Sequence, residues 1–175
     1  IWRDLMFHTH ATTVGAITRL ALAAGFKGAK VKVGMPHVSQ DVARLTAVRR
    51  AVGDGFEIMV DANQCFTLGE ALRRAPRYAE LGIAWFEEPL PADDIVGHAR
   101  LAAASAVPIA VGESLYSPAQ FAAYVQQGAC SIIQVDVARI GGITPWLKVA
   151  HMAETFNLAV CPHFLMELHV SLTAA

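Results

Sequence analysis

Three acidic residues recur at one interval through the middle of this 175-residue chain. Asp61 closes the apolar run 56–60, Glu87 closes 83–86 and Glu113 closes 107–112, with 26 residues in each step. Each run is short, bounded by turn residues and separated from the next by a helical pattern, so each reads as a buried parallel strand. A single acid at a strand end is ordinarily a helix cap or a solvated loop residue. Three at the same strand-plus-helix period demand more. The chain must repeat a β–α unit and carry its acids at the same end of successive strands.

From Thr12, the positions Val14, Ile17, Leu20, Ala21 and Ala24 follow a helical period that Gly25 stops. Strands are then expected at 27–33, 56–61, 83–88, 107–113, 131–137 and 158–163. Helices are expected at 41–52, 68–81, 95–104, 118–127 and 145–156, with a last one opening at Glu167. Ser117 is placed to cap the helix that Pro118 begins. Pro76 falls inside another helix, where a proline costs about 3 kcal/mol, and predicts a kink or a break. Residues 1–11 hold no periodic pattern. His8 and His10 have a spacing that could ligate a metal from a strand, but they read as a loop pair.

Strict alternation of strand and helix means a parallel sheet, either doubly wound or closed into a (β/α)8 barrel of the TIM type. No dinucleotide fingerprint follows the first strand, where Lys30-Val31-Lys32-Val33-Gly34 stands instead. Polar residues at the C-terminal end of nearly every strand favour the barrel, whose chemistry is built on that face. A full barrel takes eight units in roughly 250 residues. This α/β chain is therefore expected to be an incomplete barrel of about six consecutive units, part of a longer protein, without its first and last strands. Residues 1–24 serve as lead-in and first helix.

Composition narrows the function class. With 54% hydrophobic and 17% charged residues the chain is not disordered. A net charge of −1, with acids and bases mixed, leaves no basic footprint for nucleic acid. The apolar runs are far shorter than the roughly 20 residues of a membrane helix, and no secretory pattern opens the chain. Cys65, Cys130 and Cys161 are odd in number and widely spaced, so they are expected to be buried thiols in a reducing cytoplasm.

Side chains alternate faces along a strand, so parity sorts the candidates. Lys30 and Lys32 share a face, as do Asp61 with Asn63, Trp85 with Glu87, Gln134 with Asp136, and Cys161 with His163. Two lysines on one side of a buried strand mean a polar cavity there, or else an edge strand with one solvated face. In a barrel, one rim gathers Lys30, Lys32, Asp61, Asn63, Glu87, Glu113, Asp136 and His163. Three converging carboxylates repel one another unless a cation lies among them. A hard divalent ion bound through oxygen resolves this, and Mg2+ suits a site that keeps positions open for water and substrate. Two neighbouring ammonium groups favour loss of a proton from one, which moves Lys32 from a reference near 10.4 toward use as a base. His163 follows Asp136 by 27 residues, at the end of the next strand. A carboxylate on one ring nitrogen fixes the tautomer and raises the basicity of the other.

With these residues in view, the chain resembles the barrel domain of the enolase superfamily, mandelate racemase subgroup. The resemblance is carried by Lys30-Val31-Lys32, Val60-Asp61-Ala62-Asn63-Gln64, Trp85-Phe86-Glu87-Glu88-Pro89, Val111-Gly112-Glu113, Asp136 with Ile140-Gly141-Gly142, and Pro162-His163-Phe164. It covers residues from about 25 to 175. It implies that Asp61, Glu87 and Glu113 bind Mg2+, that Lys32 is a base on one face of the substrate, and that His163, oriented by Asp136, serves the other. It implies that Lys30 contacts the substrate carboxylate and tunes Lys32, and that Asn63 is a polar group near the metal. Glu88 has the wrong parity for a ligand, Arg139 stands where relatives carry a basic residue, and Glu167 lies too close to His163 to be the acid of the last strand. The family's capping domain is expected to be missing.

The implied reaction is abstraction of a proton α to a carboxylate. Dehydration of an acid sugar, an aldarate or aldonate, to a 2-keto-3-deoxy acid is expected. The stretches 26–30 and 162–167 look most like galactarate/talarate-type dehydratases. A racemase or epimerase of 2-hydroxy acids is the alternative. A Schiff-base aldolase using Lys32 and a non-catalytic truncated barrel are further ones. The expected partners are a small carboxylate substrate and further copies of the chain in a homo-oligomer, with no nucleic acid and no membrane.

Overall fold

A computed structural model of the chain describes residues 4–5 and 11–174. His8 and His10 lie outside the described residues. The chain divides into two compact units, Ile1–Leu90 with Ser105–Val107, and Pro91–Ala104 with Pro108–Ala175.

The first unit runs β1 (Asp4–Leu5), α1 (Ala11–Ala23), β2 (Gly28–Lys32), α2 (Val38–Val52), β3 (Glu57–Asp61), α3 (Leu68–Ala79) and β4 (Ile83–Glu87). Its strands pair in parallel in chain order. Register puts Lys32 opposite Asp61 and Asp61 opposite Glu87, so the three stand in one row at the strands' C-terminal ends. Val31, Ile58, Met59, Val60 and Phe86 are fully buried, as expected of strands covered on both faces. Tyr78 and Phe66 meet Phe86 edge-on at 5.1 and 6.1 Å between centroids.

The second unit runs α4 (Ile95–Ala104), β5 (Ile109–Val111), α5 (Pro118–Gln126), β6 (Ile132–Ile133), α6 (Ile143–Thr155), β7 (Ala159–Val160) and α7 (Met166–Ala174). Here too the strands pair in parallel, with Val111 opposite Ile133 and Ile133 opposite Val160. The ladder continues beyond the short assigned strands. The amides of Gln134, Cys161 and His163 donate to the carbonyls of Val111, Ile133 and Val135, which carries the backbone in order as far as the histidine. Trp146 and Val149 of α6 and Phe121 and Tyr124 of α5 are buried in this unit.

The punctuation read from the sequence recurs in the backbone. Gly25, Gly53 and Gly82 follow α1, α2 and α3 with φ of 87°, 74° and 62°, left-handed values that glycine adopts without steric cost. The Ser117 hydroxyl accepts the amide of Gln120, and Pro118 takes the first helical position. Four expectations need correction. Asp4–Leu5 pairs with β2, so a first strand is present where none was expected, giving seven strands among the described residues. Two residues without alternation become a strand only through their partner. Helix α3 runs through Pro76 without the predicted break. Pro76 sits on the exposed face, where water can serve the carbonyl that loses its partner, while Ala75 and Tyr78 anchor the buried face. Helix α2 begins three residues early because the Gln40 side chain accepts the His37 amide at 3.1 Å. Of the three free cysteines only Cys130 is buried, and burial pushes its thiol up to about 12; Cys65 is exposed in the turn after β3. No helix among the described residues is long and apolar enough to cross a membrane.

Candidate active site

In the first unit the row at the strand ends holds Lys30, Lys32, Asp61 and Glu87. Strand β2 is paired on both sides, so the edge-strand explanation of its lysines falls. Asp61 and Glu87 are fully buried. Lys30 Nζ lies 2.6 Å from Glu87 Oε1 and 3.5 Å from Asp61 Oδ2, while Lys32 Nζ bonds Asp61 Oδ2. The other oxygens are held as well. Asp61 Oδ1 accepts the Asn63 amide at 2.8 Å, and Glu87 Oε2 accepts the Trp85 indole N–H at 3.2 Å. Each carboxylate is thus held from a second side, Glu87 by the side chain that shares its face of β4 and Asp61 by the backbone N–H of Asn63.

The turns after β3 and β4 give up backbone comfort for this aim. Asn63, Gln64 and Glu88 all have positive φ, at 42°, 64° and 38°. Such strain costs on the order of 1–3 kcal/mol per residue and persists where the surroundings over-determine it. Here the Gln64 amide donates to the Glu88 carbonyl at 2.7 Å and the Gln64 side-chain amide to the Glu88 carboxylate at 3.3 Å. Glu88 is buried and supports the turn.

In the second unit Glu113, Asp136, Arg139 and His163 come together. His163 Nδ1 lies 2.9 Å from Asp136 Oδ2 and Nε2 lies 2.8 Å from Glu113 Oε2. Both ring nitrogens face carboxylate oxygens, so both can act as N–H donors when the ring is charged. Asp136 also accepts the amides of Ala138 and Arg139 at 2.8 and 3.2 Å. Burial pushes its carboxyl up, but the bonds from His163, Arg139 and Ala138 outweigh this and hold it below the ordinary carboxylate range. Arg139 turns back to β5, donating to the Glu113 carbonyl at 2.7 Å.

The donor set fits a hard cation. Asp61, Glu87 and Glu113 each offer a carboxylate oxygen, and in the first unit one ammonium, that of Lys30, already serves both buried acids. Oxygen donors without thiolate select Mg2+ over softer metals.

Residues 13–175 match the family model described as enolase C-terminal domain-like. The chain belongs to that family. It is 45% identical over 151 residues to the L-talarate/galactarate dehydratase of Salmonella typhimurium, covering 86% of this chain and 38% of that protein. L-Talarate dehydratase from Polaromonas sp. JS666, solved with Mg and L-glucarate, aligns at a TM-score of 0.95 with 40% identity, over 99% of this chain and 49% of that one. A racemase from Streptomyces coelicolor A3(2) with bound magnesium aligns at 0.96 with 35% identity, over 99% and 52%. The chain thus spans about half the length of these solved relatives and less of the curated one. Its α/β fold matches their C-terminal barrel domain.

Three features of this enolase-type chain were not foreseen. Asp41, Arg44 and Arg74 form a buried charge cluster beneath the end of β2. Their signal was a charge on an apolar helix face, since Asp41 stands in line with Leu45, Val48 and Val52. Burial pushes the Asp41 carboxyl up, against the Gly34 amide and the guanidinium groups of Arg74 and Arg44. His169 is buried on α7, stacked on Trp146, and accepts the Val137 amide at 3.1 Å while its Nδ1 bonds the Phe164 carbonyl at 2.7 Å. It ties α7 to the loop that carries Asp136. Arg139 was noted by position, but only the structure gives its direction.

Proposed function

We propose that this chain carries the catalytic half of a Mg2+-dependent enzyme that removes a proton α to a carboxylate and dehydrates an acid sugar. Asp61, Glu87 and Glu113 would hold the metal. When bound, Mg2+ stabilises the negative charge that develops on the substrate carboxylate as the α-proton leaves. Lys30 balances the substrate's charge and Asn63 stands beside it as a polar contact. Lys32 takes the α-proton on one face. On the other, His163 gives a proton to the departing β-hydroxyl, so the C–O bond breaks with loss of water and the enol rearranges to a 2-keto-3-deoxy acid. Asp136 keeps the ring oriented through both steps.

The observation that carries this reading is the 2.9 Å bond between His163 Nδ1 and Asp136, because dehydration needs an oriented acid in addition to Lys32. The 45% identity to a talarate/galactarate dehydratase supports the substrate class. Residues 1–175 as one partial barrel domain, homo-oligomeric assembly and a cytoplasmic location belong to the same proposal.

The test assays the product of the whole reading frame encoding this chain, with Mg2+, against aldarates and aldonates. Formation of a 2-keto acid is expected. Stereo-inversion without it would favour a racemase, the reading to which the magnesium-bound racemase neighbour lends weight. No turnover and no α-proton exchange with any acid sugar would end the proposal.

A further inference from the structure

Strand β2 ends at Lys32, and the backbone beyond it is held by charged side chains from below. The Val33 amide still reaches the Asp61 carbonyl at 2.8 Å. After that, Arg44 donates to the Lys32 carbonyl at 2.8 Å, and Asp41 accepts the amides of Gly34 and Met35 at 2.9 and 3.2 Å. Arg74 donates to the Met35 carbonyl at 2.8 Å and bonds Asp41 at 2.6 Å, while Glu70 takes its Nε at 2.6 Å. The Arg74 guanidinium lies 4.4 Å over the Phe66 ring. Asp41 is fully buried, and the Arg44 and Arg74 side chains are 6% and 2% exposed.

Burying charges is costly, and a buried ion pair is weak evidence for stability. An apolar face would join α2 to the sheet at least as well. What such a cluster supplies is direction, because each of its bonds onto the chain between residues 32 and 35 fixes one backbone group. The carbonyl of Lys32 is the last group of β2, and Arg44 holds it. The Cα that carries the Lys32 side chain is therefore clamped on one side by the β3 ladder and on the other by a guanidinium.

We propose that Arg44, braced by Asp41 and Arg74, is a positioning residue for Lys32, setting the direction of its ammonium without touching the substrate. This rests on the reading of Lys32 as a base for one face of an acid sugar. A displacement of about 1 Å at a reacting group costs up to about 100-fold in rate.

The experiment uses Arg44→Met, which keeps the stem and loses the donors, and Arg44→Lys, which restores one donor. The readout is α-proton exchange into deuterated solvent with a pair of C2-epimeric acid sugars, one presenting its proton to Lys32 and the other to His163. Arg44→Met should slow the Lys32-dependent exchange about 10–100-fold at nearly unchanged KM, leave the His163-dependent exchange within about 2-fold, and be partly rescued by Arg44→Lys. Equal loss on both faces, or no loss on either, would overturn the proposal. If the parent protein exchanges no α-proton at all, the function reading has failed. Positioning is then read from side-chain relaxation of 13C-labelled lysines. Arg44→Met must loosen Lys32 while leaving Lys30 as it was, and equal change at both lysines or none refutes it.

Discussion

Gly112 offers a severe test of how Glu113 is placed. It precedes the acid at the end of β5, with φ of +154°. The three atoms nearest a Cβ built there are all backbone of the neighbouring strand, the C, O and N of Gln134 at 2.5, 2.6 and 2.7 Å. Ordinary contact begins at 3.4 Å, so the Gln134 backbone must retreat by about 0.9 Å. No rotamer relieves this, because these atoms belong to the main chain. Overpacking of this kind costs about 1–3 kcal/mol and an unfavourable φ about 1–3 kcal/mol more, so Gly112→Ala should lose about 2–6 kcal/mol. For a chain of this size that lowers the thermal midpoint by roughly 10 °C. Gly128→Ala is the control, since Gly128 also has positive φ, at 62°, but nothing within 4 Å of its added Cβ. It should lose only about 1 kcal/mol. Urea unfolding of both variants isolates the steric part. If the two variants lose equal stability, or Gly112→Ala stays within about 1 kcal/mol of the parent, the close approach of β5 and β6 is wrong.

Arg49 donates to four carbonyls, those of Gly53, Phe56, Leu81 and Gly82, at the end of the unit away from the site. Arg49→Met should cost about 2–3 kcal/mol in urea unfolding and leave kcat/KM unchanged where the protein is folded. Asp136→Asn should destabilise at pH 7. Because the folded carboxyl titrates below 3.8, its contribution is complete above that value and is lost as pH falls beneath it, so the gap in urea midpoints should be smaller in acid below pH 3.8 than at pH 7. A gap of equal size at both pH values would refute this. Mg2+ at about 100 times its dissociation constant should stabilise by about 2.7 kcal/mol in thermal unfolding, and Glu87→Gln should reduce that shift. No difference between Mg2+ and chelator would exclude an assembled metal site.

What the chain disclosed in advance and what it withheld divide along one physical line. Gly25, Gly53, Gly82 and the Ser117-Pro118 pair act within a few residues of themselves, so a reader needs only local rules to find the helices they bound. The row of Lys32, Asp61 and Glu87 is also local in origin, because a repeated strand–helix unit delivers the same strand position to the same end each time. Asp4–Leu5 is a strand only because β2 lies beside it, and a two-residue pattern carries no trace of that neighbour. Arg74 is the sharper case. On its helix it stands with Ala71, Ala75 and Tyr78 on the buried face, which by itself reads as an error in an apolar stripe. The error resolves once Asp41, 33 residues earlier, is found opposite it. A charge that breaks an apolar face therefore names a residue whose partner is distant in sequence. In this chain that partner bonds the Gly34 and Met35 amides just past Lys32, so the break in local pattern marks a support of the site whose place only the fold reveals.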